Sequence, residues 1–368
     1  MKSYSSIFTL LLLSTPVGIA TKTLAAEAIP QNGDRRLLWQ DDTHLISMPN
    51  TTSYDMAIAT GEGTDEGTDE GTIAIDSNNA TFYYKRGNER AKQGQLELAF
   101  ADYNQAIEIN PKDYQAYYYR GVLYGRQRQE ESALTDYNRA IELNPKYPNA
   151  YYSRGNLYTR QKKLESALVD YNQAIELNPE YANAYFGKGA VYAKQGQAEL
   201  ALAGYGQAIE LNPKYVDAYY NRGFLYTQQG QLELALADFN QVIQLNPEDS
   251  EAYYNRGLTY IKQGEEELAL ADYNSAIQLN PNYAKAYYNR GHLYNEQGKT
   301  ELALADYNRA IQIDPDHAKA YGNLGLIHMK QGNTEEAIFN LQKAQQLFEA
   351  EGKTADVQKA ANLLRKLR

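Results

Sequence analysis

The residues able to do chemistry in this chain are aromatic rings and amides, and the chemistry they suit is recognition. Tyr84, Tyr118, Tyr152, Phe186, Tyr220, Tyr254 and Tyr288 recur at one fixed interval, and Asn221, Asn255 and Asn289 directly follow the last three. Rings stack on side chains or sugar faces, while neighbouring amides hold a backbone by hydrogen bonds. Catalytic sets are missing. His44, His292, His317 and His328 show no metal-ligand spacing, and the absence of cysteine excludes disulfides, thiol chemistry and cysteine-bound metal. No Gly-rich phosphate loop follows a strand pattern, and Ser and carboxylates recur only as repeat furniture. The sequence reads as a non-enzyme with no cofactor and no metal site.

What positions those rings is a 34-residue period. Asn-Pro or Asp-Pro dipeptides place proline at 111, 145, 179, 213, 247, 281 and 315. A period of that size marks a stacked array of helix-turn-helix repeats, and proline stops each one at the same phase because it has no N–H to donate. With proline numbered 32 in the repeat, eight repeats run over residues 80–351. Position 4 is Tyr in all eight, position 8 is Gly (Gly87 to Gly325) and position 20 is Ala (Ala99, Ala133, Ala235). Position 11 is mostly Tyr, position 24 is aromatic from Tyr103 to Tyr307, and position 27 is Ala or Val. Positions 4, 8 and 11 share one face of a first helix, and 20, 24 and 27 share one face of a second. Small residues let the helices approach, and rings fill the space beside them.

This pattern resembles the tetratricopeptide repeat, over about three quarters of the chain. The resemblance implies an all-α, right-handed superhelical solenoid of eight antiparallel helix pairs with a concave inner groove. In that family, positions 2, 5, 9 and 12 of the first helix line the groove and contact peptides, so the aromatic ladder at position 5 is the expected ligand-binding wall. Nothing in the spacing decides against the plainer alternative, that these rings pack one repeat on the next. Position 5 carries no Lys in any repeat, which argues against capture of a peptide's C-terminal carboxylate.

Two departures carry structural meaning. Position 7 is Arg86, Arg120, Arg154, Lys188, Arg222, Arg256 and Arg290, then Leu324, while position 23 is Asp102, Asp136, Asp170, Gly204, Asp238, Asp272 and Asp306, then Asn340. Lys coincides with Gly and Leu with Asn, so each Arg is expected to pair with the Asp sixteen residues on. The turn between helices holds Gly94, Gly196, Gly230, Gly264, Gly298 and Gly332, where a positive φ is expected, but Arg128 and Lys162 stand there in the second and third repeats.

The ends differ from the array. Lys2, an apolar run from Ile7 to Leu13 and a small-residue exit near Ala25, Ala26 and Ala28 read as a signal peptide over residues 1–25. An exported protein follows, periplasmic or extracellular, or in the thylakoid lumen of a photosynthetic host; a membrane tether arises only if that segment is retained. Residues 26–79 hold eleven acidic residues against Arg35 and Arg36, a net −9 of the chain's −10. Their near-tandem Gly-Thr-Asp-Glu run is expected to stay unfolded as an acidic linker, and it lacks the spacing of a calcium loop. At the other end residues 352–368 place Val357, Ala361, Leu364 and Leu367 on one face, as a helix capping the last repeat would.

The expected function is a protein–protein interaction scaffold whose groove holds an extended peptide or a partner helix. Stacking of the ladder on a glycan or cell-wall polymer, or self-assembly, are the alternatives. Nucleic acid is not an expected partner, because the array is not basic.

Overall fold

The computed structural model describes residues 79–367. The expected signal segment and acidic linker lie outside the described residues, save Asn79, whose side chain accepts the Phe82 N–H at 3.2 Å and starts the first helix. Seventeen helices and no strands make up the described residues. They fall into two compact units, 79–221 and 222–367. Each is a run of helix pairs: α1 (Ala80–Lys92) with α2 (Leu96–Ile109) at the start, and α15 (Ala318–Gln331) with α16 (Thr334–Ala350) near the end, before α17 (Thr354–Lys366).

Local chemistry sets each boundary. Two or three residues join the helices of a pair, so the chain folds straight back on itself. The second helices end at the Asn-Pro turn, where the Lys112 N–H donates to Oδ1 of Asn110 at 3.1 Å and the same bond recurs from Asp316 to Asp314. The eighth repeat has Glu349 in place of proline, and α16 accordingly runs to 17 residues where the other second helices have 14.

Packing inside a pair rests on position 8 against position 24. A Cβ on Gly87 would stand 2.6 Å from the Tyr103 ring, and one on Gly325 2.7 Å from Leu341, so only glycine lets these side chains lie flat on the helix. Tyr103, Tyr171, Tyr205, Phe239, Tyr273 and Tyr307 are buried to 1% exposure or less. Burying such a ring stabilises by roughly 1.5–3 kcal/mol, and there is one in each of the first seven repeats.

The Arg–Asp pairing is present in all six repeats that carry both residues. Arg120, Arg154, Arg222, Arg256 and Arg290 each donate through Nε and Nη2 to the two carboxylate oxygens of the Asp sixteen residues on, at 2.6 to 2.8 Å. Arg86 does the same to Asp102, with Arg90 as a further donor. Each guanidinium also lies over rings of its own helix: Arg256 stands 5.5 Å from the Tyr253 centroid and 5.9 Å from that of Tyr260. In the fourth repeat, α7 (Ala182–Lys194) and α8 (Ala198–Leu211) need no such pair. A Cβ on Gly204 would stand 2.8 Å from the Gly189 Cα, so backbone meets backbone there.

The two non-glycine turns adopt the glycine conformation. Arg128 has φ 58° and Lys162 φ 59°, beside 72° to 90° at the glycines. At the C-terminus, α17 buries Ala360 and Leu364, and Val357 packs beside Ala318, Ala344 and Phe348. That helix covers the apolar end of the last pair.

Candidate functional site

The position-5 aromatics do not form an open wall. Tyr220 and Tyr254 are 0% and 1% exposed and Phe186 is buried, while Tyr84, Tyr118, Tyr152 and Tyr288 are half-buried. Each of the latter four is engaged by a ring of its own or the next repeat, as Tyr84 is by Tyr119 at 6.0 Å. The amides are drawn inward too. Asn221 and Asn255 donate to the carbonyls of Asp217 and Glu251, each at 2.9 Å, and Asn289 donates to the Tyr254 hydroxyl of the preceding repeat at 2.9 Å. Phe186, Tyr220, Tyr254, Asn221 and Asn255, expected to line a ligand groove, are thus buried in the structure, and the two amides bond carbonyls of their own helices. Period-34 spacing is the same for a ring facing solvent and a ring facing the next repeat, so helical position alone could not separate the two.

One place breaks the column. In the eighth repeat position 5 is Gly322, and beside it opens a pocket of about 170 Å³. Its walls come from first helices of three consecutive repeats and from α17. Leu258 and Ile261 belong to α11 (Ser250–Gln263), Tyr288, Asn289 and His292 to α13 (Ala284–Glu296), and Gly322, Asn323 and Leu326 to α15. Leu341, Ala344 and Phe348 of α16 form an apolar floor, and Asp356 and Lys359 of α17 stand at its edge. Tyr288 and Asn289 are thus the two expected site residues that the structure brings to one cavity.

The pocket is apolar inside and charged at the rim. Nδ1 of His292 lies 3.5 Å from a carboxylate oxygen of Glu296, and Lys359 donates to Asp356 at 3.1 Å. Asn323 donates toward the hydroxyls of Tyr288 and Tyr307 at 3.4 and 3.3 Å. The adjoining His317 ring lies tilted against Tyr288 at 4.7 Å and accepts the Ala320 N–H through Nδ1, and burial lowers its pKa. Such a site can hold an apolar group and steer it with polar edges. Nothing in it is arranged as nucleophile and base. Leu258, Ile261, Tyr288, His292, Gly322 and Leu326 stand at positions 5, 9 and 12 of their repeats, and the visible sequence signal for the pocket is one glycine where the other seven repeats have a ring.

The match to known proteins follows this geometry. The TPR repeat family model matches residues 87–127, 129–162, 155–196, 189–230, 225–264 and 291–332, and tetratricopeptide repeat models match 250–283, 273–305 and 318–349. The chain belongs to the tetratricopeptide repeat family. Proteins of this family are protein-interaction scaffolds, typically non-catalytic, that bind protein or peptide partners. Among solved structures, the chain is similar to YrrB, described as a TPR protein with an unusual peptide-binding site, at 30% identity. That match covers 50% of this chain and 95% of YrrB with a TM-score of 0.44. A tetratricopeptide repeat protein from Parabacteroides merdae is 25% identical over 64% of this chain and 93% of its own, with a TM-score of 0.48. PilF from Pseudomonas aeruginosa shares the fold at 16% identity, TM-score 0.53, over 56% of this chain and 94% of its own. No curated protein matches the chain.

Proposed function

We propose that this tetratricopeptide repeat chain is a non-catalytic scaffold that holds an extended peptide or helix of a protein partner at the Gly322 pocket. The observation that carries it is the pocket itself: an apolar cavity of about 170 Å³, rimmed by charge, at the one repeat where the packing column lacks its ring. Burial of Tyr220 and Tyr254 withdraws the faces on which a sugar would stack, so a protein partner is favoured over a glycan. The dispersed histidines and the absence of cysteine support the non-catalytic part.

Partner capture from the native extract with the full chain, beside Gly322→Tyr, tests this. A protein held by the parent and lost with the variant supports the site. Equal capture by both moves it to another surface, and no capture by either opposes the scaffold. Export belongs to the same proposal, on the strength of the N-terminal segment. N-terminal sequencing of the mature protein tests it: a start at Ala26, Glu27 or Ile29 supports processing, and an intact Met1 opposes it.

A further inference from the structure

In five repeats the position-5 ring completes the same three-ring set, with the ring at position 24 and the ring at position 34. Tyr118 lies 6.2 Å from Tyr137 and 5.0 Å from Tyr147, and Tyr152 lies 6.0 Å from Tyr171 and 5.1 Å from Tyr181. Phe186 repeats this with Tyr205 and Tyr215, Tyr254 with Tyr273 and Tyr283, and Tyr288 with Tyr307 and His317. The site at position 5 is thus built, time after time, around a six-membered ring.

The eighth repeat drops all three rings, and the space beside position 5 stays open. Its three positions are Gly322, Leu341 and Glu351. Gly322 sits in a regular helix, and a Cβ added to it would meet only the Ala344 Cβ, at 4.0 Å. The volume left open, about 170 Å³, exceeds the roughly 150 Å³ at which an apolar cavity holds benzene. Elsewhere the phenol oxygen is met from the following helix, as Asn289 meets Tyr254. Here the following helix is α17, and Asp356 and Lys359 are the polar groups it turns to the pocket.

We infer that the Gly322 pocket takes one aromatic side chain of the partner, a phenol or phenyl ring, which stands in as the missing eighth rung. This rests on the scaffold reading and narrows it: the partner presents a Tyr or Phe, anchored against Leu341 and Ala344, with a phenolic hydroxyl reaching Asp356 or Lys359. The rings of Tyr273, Tyr288, His292 and Phe348 line the pocket and offer an entering ring aromatic contacts, so an aliphatic group of equal size fits less well.

The test uses the full chain with methyl NMR and two small probes, p-cresol and its saturated counterpart 4-methylcyclohexanol. The expected result is saturable shifts of the Leu293, Leu326 and Leu341 methyls by p-cresol, with at least tenfold weaker binding of the alcohol. Gly322→Tyr, and Gly322→Leu as a second filling variant, should abolish the p-cresol shifts while the methyl spectrum elsewhere shows an intact fold. Equal binding of the two probes overturns the inference, and so does p-cresol binding that survives both variants. The two proposals fail separately. Captured partner that survives Gly322→Tyr leaves a scaffold but removes the ring site. p-Cresol binding with no captured protein leaves the ring site but removes the scaffold.

Discussion

Arg256 and Asp272, on the two helices of one repeat, meet through two parallel hydrogen bonds of 2.8 and 2.6 Å. The Asp272 side chain is 5% exposed and the Arg256 side chain 19%. A pair this dry fixes register more than it adds stability, because desolvation offsets most of the attraction. Breaking it from one side is another matter. Asp272→Ala is expected to cost about 3–5 kcal/mol by leaving a guanidinium half-buried, and Asp272→Ala with Arg256→Leu distinctly less. Chemical denaturation of the double-mutant cycle checks this; equal costs for single and double variants would contradict the coupling.

The same pair carries a pH signature. Burial raises the Asp272 carboxyl above its ordinary range, against the pull of Arg256 downward. In Arg256→Leu only the raising cause is left. A carboxyl whose folded pKa is raised contributes stability below its unfolded pKa, and that contribution is lost as pH rises through the folded value. The deficit of Arg256→Leu relative to the parent should therefore shrink between pH 7 and pH 4. Thermal melts across that range measure it, and a deficit that grows on acidification would be contrary.

Arg128 and Lys162 sit at φ 58° and 59°, in turns where the other repeats have glycine. The left-handed conformation is disfavoured for side-chain-bearing residues by about 1 kcal/mol. Arg128→Gly and Lys162→Gly should each raise stability by up to that amount, since Cβ removal also frees the unfolded chain. A fall in Tm on either substitution would contradict the strain.

The amide oxygen of Asn221 is buried with no hydrogen-bond partner. The reason is legible one repeat back, where position 5 is Phe186 instead of Tyr. In the corresponding place Asn289 reaches the Tyr254 hydroxyl. Phe186→Tyr should supply the missing donor and stabilise by about 0.5–1.5 kcal/mol. Denaturant midpoints of the two forms compare them, and a destabilised variant would place the hydroxyl elsewhere.

His317 caps α15 through Nδ1 and must be neutral to do so. Burial lowers its pKa, with Lys319 adding to the effect and Asp314 and Glu351 opposing it. A lowered folded pKa means stability present above the ordinary value of about 6.5 and lost as pH falls through the folded value. His317→Asn keeps a cap without a titrating group. Hydrogen exchange of the Ala318–Gln331 amides should accelerate on going from pH 7 to pH 5 beyond the chemical rate in the parent, and not in the variant.

Much of this molecule was readable before any coordinates. Pro111 and its six successors phase the helices, and the coincidence of Lys188 with Gly204 and of Leu324 with Asn340 gives away the ion pair. A further link is written in the same repeats. Arg120 also donates to Asn104 of the preceding repeat at 2.7 Å, and Arg154, Arg256 and Arg290 repeat the contact. Position 25 reads Asn104, Asn138, Asn172, Gly206, Asn240 and Asn274, breaking at the same repeat as the ion pair. What the sequence could not show is which way the position-5 rings face. A ring that packs on the next repeat and a ring that lines a groove have the same helical phase, and only the partners at positions 24 and 34 separate them. The pocket is harder still to read, since in sequence it is the single letter of Gly322.

The most direct test is the affinity of the captured partner for the parent and for Gly322→Tyr by isothermal calorimetry, with both proteins shown to melt cooperatively. A filled pocket is expected to weaken binding at least tenfold while Tm is held or raised, as a helix-interior glycine is replaced and a cavity closed. An unchanged dissociation constant would contradict the central claim that partners enter where the eighth ring is missing.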